Sequence, residues 1–202
     1  AHSVTFDASG KYLVVADLGI DKLAIYRYDV GTGALKAIDT PAVLKPGAGP
    51  RHTKFHPKLP VIYSVNELDS TVTAFAFDVA SGATKELQTI TTLPSEFVGM
   101  NTTAEIRVHP SGQFMYASNR GHDSIAVFGV ERASGKLSAK GQTSTGGSTP
   151  RNFNVEPSGK YLIVANQKSD SVVTFSIDGK TGALKQVGEP LSVPVPVCVL
   201  FP

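Results

Sequence analysis

Two arginines, a glutamate and a histidine stand at matching points of a pattern that recurs through this chain. His2, Arg51 and Arg151 each precede an aromatic or β-branched residue by four positions, and Ala104 holds the same place in the remaining copy. Glu67 and Arg120 each follow a conspicuous Asn, with Leu18 and Gln167 at the equivalent points. Glu105 and His52 lie one residue further along their own copies. An arginine offers a fixed fork of donors that suits a carboxylate or a phosphate. A glutamate or a histidine can move a proton near neutral pH. Gathered at one place, these side chains suit a small anionic substrate.

The pattern that must gather them is a unit of about fifty residues present four times. Its marker is an Asp or Asn after a short apolar run: Asp17 in YLVVADLG, Asn66 in VIYSVNEL, Asn119 in FMYASNRG and Asn166 in YLIVANQK. The markers are 49, 53 and 47 residues apart. Each unit reads as four short strands. The first contains Val4–Phe6, Thr53–Phe55, Ile106–Val108 or Phe153–Val155, and a turn follows (DASGKY, HPKLPV, HPSGQF, EPSGKY). In these turns Pro fixes one φ and Gly supplies a positive one. The second strand is the apolar run. The third alternates apolar and polar residues (DKLAIYRYD, STVTAFAFD, DSIAVFGVE, DSVVTFSID), and a Gly turn leads to a variable fourth. No segment has a helical period.

Tandem four-stranded antiparallel meanders make an all-β fold of the β-propeller type. With no Trp in the chain, the blades are not WD40 units. The blade repeats fall at about 2–51, 52–104, 105–151 and 152–193. Residues 197–201 then read as the first strand of another blade, because Phe201 aligns with Phe6 and Phe55. Closed rings remove exposed strand edges. The orphan strand and the missing initiator Met therefore predict a single propeller domain of which this chain is the C-terminal part, with possible self-association through open blade edges. In such a blade the first strand is innermost, so the residues named above are expected to ring one mouth of the central channel. The repeated Asp or Asn is expected to bond local backbone where the second strand ends.

Composition narrows the function. The net charge of +2 is scattered, which argues against a nucleic-acid surface. No apolar run approaches the roughly 20 residues needed to cross a membrane, and no leader is visible. Cys198 is the single cysteine, expected to be a small buried residue. It excludes an internal disulfide and fits a reducing, cytoplasmic setting. Gly31–Thr32–Gly33 is a hairpin turn, not a dinucleotide loop. No Cys/His ligand spacing or calcium loop is present, so no metal or cofactor is expected. His56 and His109 in the His-Pro turns are expected to be structural. Asn101–Thr103 fits a glycosylation sequon without other support.

The residues resemble the lactonase family of seven-bladed β-propellers, which includes bacterial 6-phosphogluconolactonase and fungal carboxymuconate-lactonising enzymes. The resemblance runs through AHSVTFD, GAGPRHTKFHP, SVNELDSTV, NRGHDSIAVF, STGGSTPRNF and VPVPVCVLF. It implies four blades and a closing strand of a seven-bladed ring. It also implies an active site formed by His2, Arg51, Glu67 and Arg120. From the repeat comparison, Arg151, Glu105 and His52 are expected to join Arg51 and Arg120 in substrate binding. The implied reaction is hydrolysis of 6-phospho-D-glucono-1,5-lactone in the pentose phosphate pathway. The same residues could instead serve a cycloisomerase acting on a muconate, or the chain could be a binding scaffold without catalysis.

Overall fold

The computed structural model describes residues 1–201. Four antiparallel sheets follow one another along the chain. Blade A holds β1 (Ser3–Phe6), β2 (Tyr12–Asp17), β3 (Lys22–Tyr28) and β4 (Leu35–Ala37), with the short β5 (Ala42–Val43) also paired to β3. Blade B holds β6 (Pro50–Phe55), β7 (Val61–Asn66), β8 (Thr71–Phe77) and β9 (Thr84–Thr91). Blade C holds β10 (Thr102–Val108), β11 (Phe114–Arg120), β12 (Ser124–Val130) and β13 (Leu137–Ser144). Blade D holds β14 (Pro150–Val155), β15 (Tyr161–Asn166), β16 (Ser171–Ile177) and β17 (Leu184–Ser192), with one 3-10 turn at Gln167–Ser169.

Within every blade the strands pair in chain order, as the meander pattern requires. The inner strands β1, β6, β10 and β14 are neighbours in that order, so the blades stand side by side around one axis. They open at Pro50, Thr102 and Pro150, two or three residues ahead of the divisions drawn from the repeat.

The apolar core is three slabs, one per seam. Tyr12, Val14, Ile25 and Leu44 of blade A meet Ile62, Phe75 and Phe77 of blade B. Tyr63, Val65 and Val72 of blade B meet Ile106, Met115 and Phe128 of blade C. Phe114, Tyr116 and Ile125 of blade C meet Phe153, Val164 and Phe175 of blade D. A central strand lies between two such slabs, so both of its faces are apolar. All six residues of β7 and all seven of β12 are buried.

Polar bonds fix how the slabs register. A tyrosine in the second strand donates to the outer hairpin of the next blade: Tyr12 to Ala80 O at 2.8 Å, Tyr63 to Gly135 O at 2.7 Å and Tyr116 to Gly182 O at 3.0 Å. Below them, His56 Nδ1 accepts from the Lys58 and Leu59 amides, so Nε2 carries the proton and donates to Gly112 O at 2.8 Å. His109 repeats this one blade on, with Nε2 against Gly159 O at 2.8 Å. Gly112 and Gly159 take φ of 78° and 77°, and a Cβ on either would meet the imidazole at 2.6–2.7 Å. The structural role read for these histidines is a staple between blades.

Two expectations are corrected. Cys198 is exposed, not buried. The segment around it touches β14 on one side only: Val199 N–H donates to Asn152 Oδ1 at 2.8 Å, and Asn154 Nδ2 donates to Val199 O at 3.2 Å. Nothing packs on its other face among the described residues, and residues 197–201 carry no strand ladder there. Of the four marker residues only Asp17 bonds local backbone, accepting from Gly19 N–H. Asn66 bonds the hydroxyls of Ser64, Thr71 and Thr73. Asn119 and Asn166 reach the carbonyls of Thr92 and Thr145 in the crossovers that lead into their own blades. These three side chains are fully buried, and their amide nitrogens find partners wherever the fold supplies them, while Asn166 Oδ1 has none among the described residues.

Burial lowers the His56 pKa from its ordinary 6.5. Its neutral form is the native one, so this contribution to stability is complete above pH ~6.5 and is lost as pH falls towards the folded value. Chemical denaturation at about pH 7.5 and about pH 5.5 should show a larger loss on acidification for the wild type than for His56→Gln.

Candidate active site

One feature sets where each inner strand begins. The residue just before every third strand is left-handed: Asp21 (φ 54°), Ser70 (55°), Asp123 (51°) and Asp170 (49°). Asp tolerates this conformation because its short side chain bonds locally. Each of these side chains grips the crossover into the next blade. Asp21 accepts from the Gly47 and Gly49 amides at 2.8 and 2.7 Å, Asp123 from Thr149 at 2.8 Å and Asp170 from Val195 at 2.8 Å. Ser70 instead exchanges bonds with Asn101. The gripped residue in three crossovers precedes a proline: Pro50, Pro150 or Pro196.

Directly after Pro50 and Pro150 the ladder slips. Pro50 faces Asn66 and His52 faces Val65, leaving Arg51 as the extra residue of a bulge. Arg151 is extra in the same way on β14. In β10 the slip falls between Thr103 and Ile106, at Ala104 and Glu105. Bulges re-aim side chains and gather near active sites. Here they turn arginines of the inner strands toward the ends of the second strands, where Glu67 and Arg120 stand.

Glu67 lies between two guanidinium groups. Arg51 Nε donates to Oε2 at 2.8 Å, and an Arg120 terminal nitrogen approaches Oε1 at 2.9 Å. Backbone carbonyls at the start of β10 hold the same two arginines: Ala104 O accepts from Arg51 at 2.7 Å and Thr103 O from Arg120 at 2.9 Å. Arg51 is only 3% exposed. Burial pushes the Glu67 carboxyl up, but the hydrogen bond and charge of Arg120, then those of Arg51, outweigh it and hold the carboxyl below its ordinary range. Burial also lowers the Arg51 pKa, and the charge of Arg120 adds to this.

His52 continues the network inward. Its Nε2 lies 3.1 Å from Arg51, which can only donate, so Nδ1 carries the proton toward Glu105 Oε1 at 3.1 Å. Glu105 is 1% exposed and also accepts from Arg107, the Ile106 amide and Asn152. It therefore ties β6, β10 and β14 together beneath the mouth. His2 is exposed, its ring centroid 5.2 Å from that of His52, and it has no side-chain hydrogen bond among the described residues. Burial and then the charge of Arg51 lower its pKa. Arg151 joins no ion pair among the described residues and lines a cleft of about 410 Å³ with Arg120, Asp123, Thr149 and Lys168. The structure thus brings Arg51, Glu67, Arg120, His52 and Glu105 into one connected group, with His2 and Arg151 beside it. Lys168 and Thr149 escape a sequence reading because neither stands at a position where the copies were compared.

Four meander blades standing side by side around one axis define a class, the β-propeller. A family profile described as "Lactonase, 7-bladed beta-propeller" matches residues 1–201. The chain is 39% identical over 200 residues to a 6-phosphogluconolactonase of Bacillus subtilis, covering 99% of this chain and 56% of that protein. It superposes on the periplasmic gluconolactonase of Pseudomonas aeruginosa with a TM-score of 0.90 at 34% identity, covering 98% of this chain and 55% of that one. A Lactobacillus plantarum protein of solved structure gives a TM-score of 0.92 at 32% identity, covering 98% and 57%. This chain belongs to the seven-bladed β-propeller lactonase family, and it spans a little over half the length of these relatives.

Removing Glu67 leaves two guanidinium groups facing each other with no anion between them. Glu67→Ala should lower the free energy of unfolding by about 1–3 kcal/mol. Arg120→Met added to it should cost less than Arg120→Met alone, because the repulsion is then relieved. Urea denaturation of the four proteins measures the coupling.

Proposed function

We propose that this chain carries the active site of a lactone hydrolase acting on 6-phospho-D-glucono-1,5-lactone. The observation that carries the reading is the Arg51–Glu67–Arg120 group at the propeller mouth. The names of the relatives support hydrolysis over cycloisomerisation. A phosphorylated sugar acid does not cross a membrane unaided, so the proposed setting is the cytoplasm. No helix of the described residues is long and apolar enough to span a membrane.

In the proposed mechanism the lactone carbonyl oxygen accepts from Arg51 or Arg120 at the mouth. That contact withdraws a donor from Glu67, so the carboxylate regains basicity as the substrate arrives. Glu67 then takes a proton from a water as its oxygen attacks the carbonyl carbon. The arginines stabilise the oxyanion of the tetrahedral intermediate. Collapse breaks the ring C–O bond, and the departing alkoxide recovers the proton from Glu67. The product is the open acid. His2, exposed beside His52, is a second proton carrier for the leaving oxygen. A lactone is already activated, so positioning and one base suffice.

Glu67→Gln keeps the shape and removes the base. Its kcat on the phospholactone should fall by roughly 10²–10³-fold with KM changed little. Spectrophotometric coupling to oxidation of the released 6-phosphogluconate would measure this. A variant with wild-type kcat would remove Glu67 from the chemistry.

A further inference from the structure

Arg51 and Arg120 are both engaged by Glu67, but the mouth holds two cations that are not. Arg151 and Lys168 form no ion pair among the described residues, and both line the cleft of about 410 Å³ at the seam between blades C and D. Arg120 lines the same cleft from blade C, together with Thr102. The one acid in the lining, Asp123, has its carboxylate on the Thr149 amide at 2.8 Å and the Gly121 amide at 3.3 Å, as part of the crossover clamp. The cleft therefore presents three cations against one carboxylate already bound to backbone donors. Thr149, a hydroxyl-bearing residue, also lines it.

Arg120 is common to this cleft and to the Glu67 group, which its terminal nitrogen reaches at 2.9 Å. A ligand anion in the cleft thus lies one guanidinium away from the proton-transfer carboxylate. The two ends of one substrate could occupy both places, a reacting carbonyl at Arg51–Glu67–Arg120 and a dianion at Arg151–Lys168. A tetrahedral dianion, which accepts from several donors at once, matches a site with an arginine fork, an ammonium and a hydroxyl.

We infer that the cleft lined by Arg151, Lys168 and Thr149 is a phosphate subsite, so that the chain selects a phosphorylated lactone over its unphosphorylated counterpart. This rests on the reading of Glu67 as the proton-transfer group. The relatives include proteins named for each substrate type, so the family alone does not make the choice.

The test compares kcat/KM for 6-phosphogluconolactone and for glucono-1,5-lactone in the wild type, Lys168→Met and Arg151→Met. The ratio of the two values should fall by about 10–100-fold in each variant, the loss expected for one charged hydrogen bond. A parallel loss on both lactones, or none on either, overturns the subsite. Thr149→Gly is the folding control, because Gly49 occupies the same left-handed place in blade B. It should lower the ratio without lowering Tm. If the wild type hydrolyses neither lactone, the catalytic reading fails and calorimetry judges the subsite alone. Binding of 6-phosphogluconate at least about tenfold tighter than gluconate, with the preference lost in Lys168→Met, sustains it. Equal affinities overturn it.

Discussion

The site depends on one hydrogen bond, repeated at the crossovers between blades. A left-handed Asp at the head of the third strand, in three of the four blades, accepts a backbone N–H from the crossover and fixes where the next inner segment starts. A proline follows the gripped residue in three of the crossovers, and in blades B and D an arginine-bearing bulge comes next. The order clamp, proline, bulge is what makes Arg51 and Arg151 equivalent in space as well as in sequence. Ion–dipole bonds of this kind are short and strong, and the backbone N–H groups of Gly47 and Gly49 hold the Asp21 carboxyl below its ordinary range. Blade C uses Ser70 and Asn101 instead, and there the slip falls at Ala104 and Glu105.

The second constraint is electrostatic. The mouth holds more cations than anions, and two carboxylates, Glu105 buried and Glu67 half-buried, keep them compatible. Glu67 separates Arg51 from Arg120, and Glu105 ties His52 to Arg107. Two of these bonds, Glu67–Arg120 and His52–Glu105, run between blades B and C, so groups proposed for catalysis also hold neighbouring blades together. A resting carboxylate with a donor on each oxygen is a poor base. Its basicity is governed by whatever competes for its arginines, and in the proposed mechanism that makes the incoming carbonyl part of the acid–base machinery.

Much of this was legible in the sequence. Strict alternation in the third strands and the Pro/Gly turns define the meander, and four copies supply their own alignment. Departures from that alignment pointed to Arg51, Glu67 and Arg120 without structural knowledge. What stayed hidden depends on backbone geometry or on neighbours. Asp21, Asp123 and Asp170 read as strand heads, because a positive φ leaves no trace in periodicity. The bulge at Arg51 is a one-residue slip that alternation over so short a strand cannot reveal. Asn119 and Asn166 bond crossovers more than twenty residues away, which spacing does not show. Cys198 sits in an apolar run that reads as buried, yet exposure is decided by what packs beside it.

The tyrosine and histidine staples all point one way. In every seam it is the earlier blade that donates, to a hairpin carbonyl or a turn glycine of the later one. Tyr161, placed in β15 as Tyr12 is in β2, is exposed with no later hairpin over it among the described residues. Each blade therefore completes its predecessor. A newly made blade has its acceptors ready for donors already in place behind it, so seams can close in the order of synthesis. The described blades thus form a nearest-neighbour array, each tied by these bonds only to the blade beside it.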